Sequence, residues 1–480
     1  MADGPPPLST ATVPLHADAA AFLLLRRRSP AAASADLLLL AASTYELVQE
    51  AEEGKKSERR GGIHLFDASA GELSPLGGVG SGGKEESSSS LPFPGVFDIK
   101  WLPRRPSAGE DPAPVLAVAL ADGSVRLMEV KIEEGGEGEG GKRAALLRET
   151  ARCSPLKVDD DRGEEEPELE EEEQKLPCTS HPLDDPEAMA LYLDVDKGST
   201  NRIAVSFSDG RVAVLELLPT NSTETEESGS DETNSKSSKL EVKALWRAHN
   251  SECWCVSFSP RCPDTVYTGA DDCEFLAWDL RGIGGSTKKP RPSWRAGAGG
   301  GASEEAAKHS AGVCCISPSP VAAGASMIVT GSYDGRVRLW DSRDPSAPLF
   351  LCASAEEEKG REGEETANSS PPPSSSPLGG GAWRLVWHPR GEPRLLCAAM
   401  HAGFAVLKLD KEGREGEKEA KTSSIEVEQR YRRHGADPSP LNGGAATLGY
   451  GCDWAFDAES NLIAATASFY DNGVHLWGPR

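Results

Sequence analysis

Basic charge is what this chain lacks most. Its 480 residues hold 51 Lys and Arg against 76 Asp and Glu, a formal net charge of −25. A nucleic-acid surface needs clustered cations to displace counterions, and the longest cluster here is Arg26-Arg27-Arg28, which reads as a loop between strands. No segment approaches the 18 or so consecutive apolar residues of a membrane span, and "MADGPPPLST" is no secretory leader. The expected class is therefore soluble and intracellular, with neither a nucleic acid nor a membrane as partner. G-x-S-x-G, the turn that presents a serine nucleophile, is absent from the sequence. Metal-ligand spacing is also missing: the 11 cysteines include Cys253-x-Cys255 and Cys314-Cys315, neither of which fits zinc. With Cys397 they fall in predicted strands and read as small buried thiols, so no metal site is expected.

What is present is a spacing. In "GSYDGRVRLWDSR", Asp334 precedes Trp340 by six residues. Asp272 and Trp278 repeat that interval, as do Asp471 and Trp477, while Asp122–Met128 and Asp209–Leu215 are degenerate copies. In "MHAGFAVLKL", His401 takes the place of the turn aspartate. Around each core, short alternating strands flank a polar turn, and an earlier strand often ends in proline, as in "FDIKWLP", "CWCVSFSP" and "AWRLVWHP". Seven approximate units result: 17–68, 96–131, 190–218, 245–281, 309–343, 381–410 and 448–477. Strand-rich units with a Trp-Asp ending predict an all-β fold, a seven-bladed WD-repeat propeller. "ATVPLHA" is a candidate outer strand for the last blade, and no residues are expected to remain for a separate catalytic domain. Segments 49–61, 77–91, 133–186, 219–239, 282–307, 353–380 and 411–440 read as insertions without structure; 159–173 alone holds eleven acidic residues against one arginine.

Two polar sets recur and so read as architecture. His249, Thr268, Asp272 and Trp278 stand at the same relative places as His309, Thr330, Asp334 and Trp340. Such a set tempts a catalytic-triad reading, but its repetition favours a structural tetrad. Departures from the repeat are more informative. Aligning the first strands on their terminal prolines puts Asp98, Cys255, Cys315 and Arg384 in one column, joined by Asp453 if Phe456 matches Phe258. Strand alternation points that column into the central channel, with His401 on a neighbouring turn. One mouth would then gather two carboxylates, a guanidinium and an imidazole, a set able to serve as general base and anion binder. Against that stands an Arg384–Asp453 bridge between neighbouring blades, with His401 capping its turn. Trp383 would sit at the rim, either packing or offering its face to a cation.

The ordered stretches "RAHNSECWCVSFSP", "VYTGADDCEFLAWDLR", "KHSAGVCCISPSP", "IVTGSYDGRVRLWDSR", "GAWRLVWHP", "AAMHAGFAVLKL", "GYGCDW" and "ATASFYDNGVHLW" closely resemble the WD-repeat diphthine methylesterase family of diphthamide biosynthesis. The likeness covers the last four units well and the first three loosely. It implies hydrolysis of the methyl ester of methylated diphthine, a modified histidine of translation elongation factor 2, in the cytoplasm with water and no cofactor. Under that resemblance Asp98, Asp453 and Trp383 suit a trimethylammonium, His401 or an aspartate would activate water, and Arg384 would stabilise the oxyanion. No family motif transfers a catalytic residue, so activated water and a covalent intermediate both stay open. The rival expectation is a non-enzymatic scaffold: "WDLR" and "WDSR" match the W-D-x-R pattern of cullin-RING ligase substrate receptors, with Arg281 and Arg343 as contacts.

Overall fold

The computed structural model describes residues 4–25, 36–48, 58–80, 93–104, 112–134, 143–157, 185, 187–198, 201–219, 238–283, 290–297, 308–320, 326–351, 378–412, 421–435 and 447–480. They form seven antiparallel four-stranded sheets, the blades of a β-propeller. In blade four the strands are Cys255–Phe258, Thr265–Gly269, Phe275–Asp279 and Arg291–Arg295. The first lines the channel and the fourth forms the rim. Apolar residues on facing blades interleave, so each core belongs to two blades: Val256 and Trp278 pack with Val212 and Trp246 of blade three. A single blade has nothing else to cover its faces, which is why the ring has to close.

Closure comes from Ser9–Thr12, which pairs antiparallel with Gly473–Trp477, Ser9 opposite Leu476 and Thr12 opposite Gly473. This strand shares only its last two residues with "ATVPLHA". Val13 is buried beyond it, and the chain turns at Pro14 into the first strand of blade one.

The segments read as insertions need correction. Arg143–Cys153, Arg291–Arg295 and Lys421–Tyr431 are fourth strands lying wholly within them, and Ser74–Gly80 and Ser238–Arg247 overlap them. A rim strand meets solvent along one edge and much of one face, so "RAALLRETARC" carries ionic partners in place of an apolar alternation. Arg148 binds Glu129 at 2.6 Å on the adjoining strand. The acidic run 159–173 and Arg26-Arg27-Arg28 lie outside the described residues.

The repeated polar sets are hydrogen-bonded tetrads. Thr330 Oγ1 lies 2.8 Å from His309 Nε2 and accepts the Trp340 indole N–H at 2.8 Å, while Asp334 holds His309 Nδ1 at 3.1 Å. Blade four repeats this with His249, Thr268, Asp272 and Trp278. Both histidines and both threonines are buried, and burial pushes the His309 imidazole down to about 4. Blade seven holds a third set, His434, Thr466 and Asp471, whose Trp477 indole nitrogen finds no partner among the described residues. Thr330→Val strands two buried groups where Thr466→Val strands one. We expect Thr330→Val to cost roughly 2–4 kcal/mol and Thr466→Val about half that, read as urea midpoints at unchanged m.

Candidate functional site

The first strands converge on the channel, and the structure joins some of the charged residues picked from the sequence. Arg384 Nη1 donates to Asp98 Oδ1 at 2.8 Å. These residues belong to blades six and two, which are not neighbours, so the pair spans the channel itself. Asp98 is fully buried and also accepts from Lys100 Nζ at 2.9 Å and from the Leu193 amide at 3.2 Å. The guanidinium and ammonium hold its carboxyl below the usual range despite burial. Arg384 stacks over the Tyr192 ring, 5.2 Å from its centroid, and its Nε is buried with no partner among the described residues.

Asp453 stands elsewhere. Strand pairing puts Cys452 opposite Thr466, just as Val256 lies opposite Thr268. Gly451, rather than Asp453, therefore shares Arg384's level. The Phe456–Phe258 alignment slips by two residues, which keeps the face but displaces Asp453 by about 7 Å along the strand. Its carboxylate accepts the amides of Phe22 at 2.7 Å and Trp454 at 2.9 Å, and burial raises its pKa. His401 is exposed on its turn, and no hydrogen bond or ion pair joins it to Arg384 or Asp453 among the described residues. Arg281 and Arg343 are exposed too, each folded back on the aspartate of its own motif, Asp279 or Asp341.

On one side of the Arg384–Asp98 bridge is a cavity of about 990 Å³, bounded by the loops after the first strands. Lys100, Asp194, Ser257, Arg384 and Asp453 line it. On the other side is an aromatic collar. Phe97 lies 4.8 Å from Tyr45, ring centre to ring centre, Tyr45 5.2 Å from Phe469, and Phe469 5.7 Å from Tyr450. Tyr450 continues to Trp383 at 4.9 Å, and Trp383 to Trp254 at 5.7 Å and Tyr333 at 5.9 Å. These rings come from every blade but the third, and none of them is buried, so they ring this mouth of the channel.

Four of the seven collar rings share one structural origin; Tyr45, Tyr333 and Phe469 come from the second strands or the turns that follow them. Blades two and seven begin their first strand with a β-bulge, and the extra residue is Phe97 or Tyr450. Trp254 and Trp383 stand at the same place, immediately before the channel residue of blades four and six. A bulge re-aims a side chain out of the ladder, here toward the mouth. Blade one has the same bulge, between Ala17 and Ala20, and puts Asp18 there. Sequence reasoning missed Asp18 because the column it compared lies one residue further on. Ser43 Oγ accepts the Ala19 amide at 3.0 Å and holds the bulge, while Gly451 leaves room for it: a Cβ there would come within 2.9 Å of the Ala19 backbone.

Asp18 is 4% exposed, and its carboxyl makes no hydrogen bond among the described residues. Burial lifts its pKa to about 8, with Arg384 opposing the rise and Asp98 adding to it. Strand pairing sets it near Tyr45, and the close approach of Gly451 sets it near Tyr450; its charge makes both rings harder to ionise. The arrangement is a cation-attracting mouth above a carboxyl able to exchange a proton near neutrality.

Other clusters are less suited to chemistry. Burial pushes the Cys315 thiol up to about 12 and raises those of Cys253, Cys255 and Cys314, which makes them poor nucleophiles. His434, Asp471 and His475 bring potential metal-ligand atoms within 4.8 Å of one another. Both ring nitrogens of His434 are engaged in its tetrad, however, and His475 Nδ1 is bonded to the Tyr431 hydroxyl.

A family model for the WD domain, G-beta repeat, matches residues 306–341, which include most of blade five. Over 298 residues the chain is 26% identical to a Dictyostelium discoideum protein named diphthine methyltransferase homolog, covering 61% of this chain and 63% of that one. It is 29% identical to the Mus musculus diphthine methyltransferase, over 50% of this chain and 38% of the mouse protein. The Saccharomyces cerevisiae diphthine methyltransferase gives 29% identity, over 50% of this chain and 51% of the yeast one. The chain thus spans between about two fifths and just under two thirds of the length of these relatives.

Proposed function

We propose that this WD-repeat propeller, similar to proteins named diphthine methyltransferase, acts in diphthamide biosynthesis by hydrolysing the methyl ester of methylated diphthine on elongation factor 2. The observation that carries the reading is the aromatic collar above Asp18. The modified histidine bears a permanent trimethylammonium and, close to it, a methyl ester. Collar rings such as Trp383 and Tyr450 attract the cation through their faces, and Asp18 supplies the opposite charge. The collar rings are partly exposed, as recognition of a side chain presented on a large protein requires. Water is the second reactant; Arg384 Nε is a donor with capacity to spare for the tetrahedral oxyanion.

The test is a mass spectrum of elongation factor 2 carrying methylated diphthine, taken before and after incubation with the purified protein and no methyl donor. The expected result is loss of one ester methyl with the trimethylammonium retained. An unchanged mass, with a folded protein and verified substrate, rejects the hydrolase. A gain in mass only when a methyl donor is supplied would make it a transferase.

A further inference from the structure

We propose that Asp18 is the proton acceptor of this hydrolysis and that the fixed cation of the bound substrate sets it in the ionised, working state. The inference rests on the hydrolase reading above.

Four ionisable groups act on Asp18 or stand near it. The charges of Arg384 on blade six and Asp98 on blade two act on it, while Tyr45 stands on the neighbouring strand and Tyr450 beside Gly451 on blade seven. Other nearby charges face elsewhere: Lys100 is turned to Asp98, and Asp453 to the Phe22 amide. Arg384 itself is claimed by Asp98. In the empty site, then, Asp18 is a buried acid with no hydrogen-bond partner among the described residues and no cation of its own. Its protonated form prevails at neutral pH. A protonated carboxyl is useless as a base.

A quaternary ammonium seated in the collar changes this. It carries no proton, so it cannot donate one, and it stays charged at every pH. A cation within about 4–6 Å lowers a carboxyl pKa by roughly 1–3 units, which brings Asp18 from about 8 into the neutral range or below. Recognition of the substrate thereby creates the base. A cavity that held a ready-ionised carboxylate would have to stabilise a bare buried charge whenever it was empty.

The chemical step balances without another reagent. Water oxygen bonds to the ester carbonyl carbon as one water proton passes to the Asp18 carboxylate. The tetrahedral intermediate collapses, the acyl C–O bond to the methoxy group breaks, and the leaving oxygen takes the proton from Asp18. The products are methanol and the free carboxylic acid, which ionises in solution and releases the net proton.

The experiment is steady-state hydrolysis of elongation factor 2 carrying methylated diphthine, followed by mass spectrometry from pH 5.5 to 9.5. It compares the wild type, Asp18→Asn and Asp18→Glu. For the wild type, kcat/KM reports the free enzyme and should rise with pH through about 8; kcat reports the complex and should rise roughly 1–3 units lower. Asp18→Asn should lower kcat about 10²–10⁴-fold and, lacking the charge that pairs with the cation, raise KM by about tenfold or more above pH 8, and Asp18→Glu should recover part of both with a displaced profile. Coincident kcat and kcat/KM limbs in the wild type overturn the proposal, as does an Asp18→Asn variant that keeps its rate within tenfold. If the wild type hydrolyses nothing, the hydrolase reading falls and this inference with it. Hydrolysis that is indifferent to Asp18 sinks the inference alone.

Discussion

Arg384→Met is expected to destabilise the protein by about 3–5 kcal/mol, a large share of the margin on which a folded chain survives. Neither Arg384 nor Asp98 is more than 5% exposed. Removing the guanidinium leaves the Asp98 carboxylate inside the ring with only Lys100 and the Leu193 amide. An uncompensated buried charge costs more than the pair contributes when intact. The double variant Asp98→Asn/Arg384→Met removes the charge together with its partner and should regain at least half of the loss. Guanidinium denaturation of the wild type, Arg384→Met, Asp98→Asn and the double variant gives the coupling directly. A single-variant loss below about 1 kcal/mol would show that water reaches the pair, contrary to its burial. Arg384 also opposes the rise in Asp18's pKa, so its loss should move the kcat/KM limb to still higher pH.

Asp18→Asn should make the protein more stable while disabling it, and the gain should depend on pH. An Asp unfolded at its ordinary 3.8 and folded at about 8 binds its proton more tightly in the folded state. Between those values the folded chain holds the extra proton, so stability falls as pH rises and levels off above about 8. Asparagine resembles the neutral carboxyl and has no proton to lose. Melting curves should nearly coincide at pH 4 and separate progressively to pH 8.5, by an amount on the order of a few kcal/mol. An equal offset at both pH values would mean that Asp18 is not held protonated. Activity and stability pulling apart at one residue mark a group kept in place for chemistry.

The propeller is legible because its repeat is set by turns. The Asp-to-Trp interval survives in three blades and, degenerate, in others, since each turn must satisfy the same backbone. The fourth strands are hard to read because "RAALLRETARC" and "KTSSIEVEQRY" answer to solvent on one edge, and solvent imposes no period. His434 is obscured by distance: it precedes Thr466 by 32 residues where His249 precedes Thr268 by 19, and the turn from Thr466 to Asp471 holds one residue more than in blade four. Of the site, Asp98, Arg384 and Trp383 emerge from comparing blades, because a charge in an apolar column stands out. Asp18 does not, since a bulge adds a residue to one strand and none to its partner, and counting from the prolines cannot register it. Asking which residue precedes each channel position would have gathered Phe97, Trp254, Trp383 and Tyr450, with the buried Leu191 and Cys314 of blades three and five as apolar or thiol departures and Asp18 as the one charge.

The strand Ser9–Thr12 leaves the ribosome long before its partner exists. At roughly 5–20 residues per second, translation from Ser9 to Leu476 takes about 20–90 s. For all that time blades accumulate in an open arc, and the edge that Ser9–Thr12 will cover has yet to be made. Each blade shields its predecessor, but blade one keeps an uncovered face until blade seven arrives. A chaperone able to hold that face for a minute or so would be guarding the ring at the stage when another nascent copy could pair with it instead.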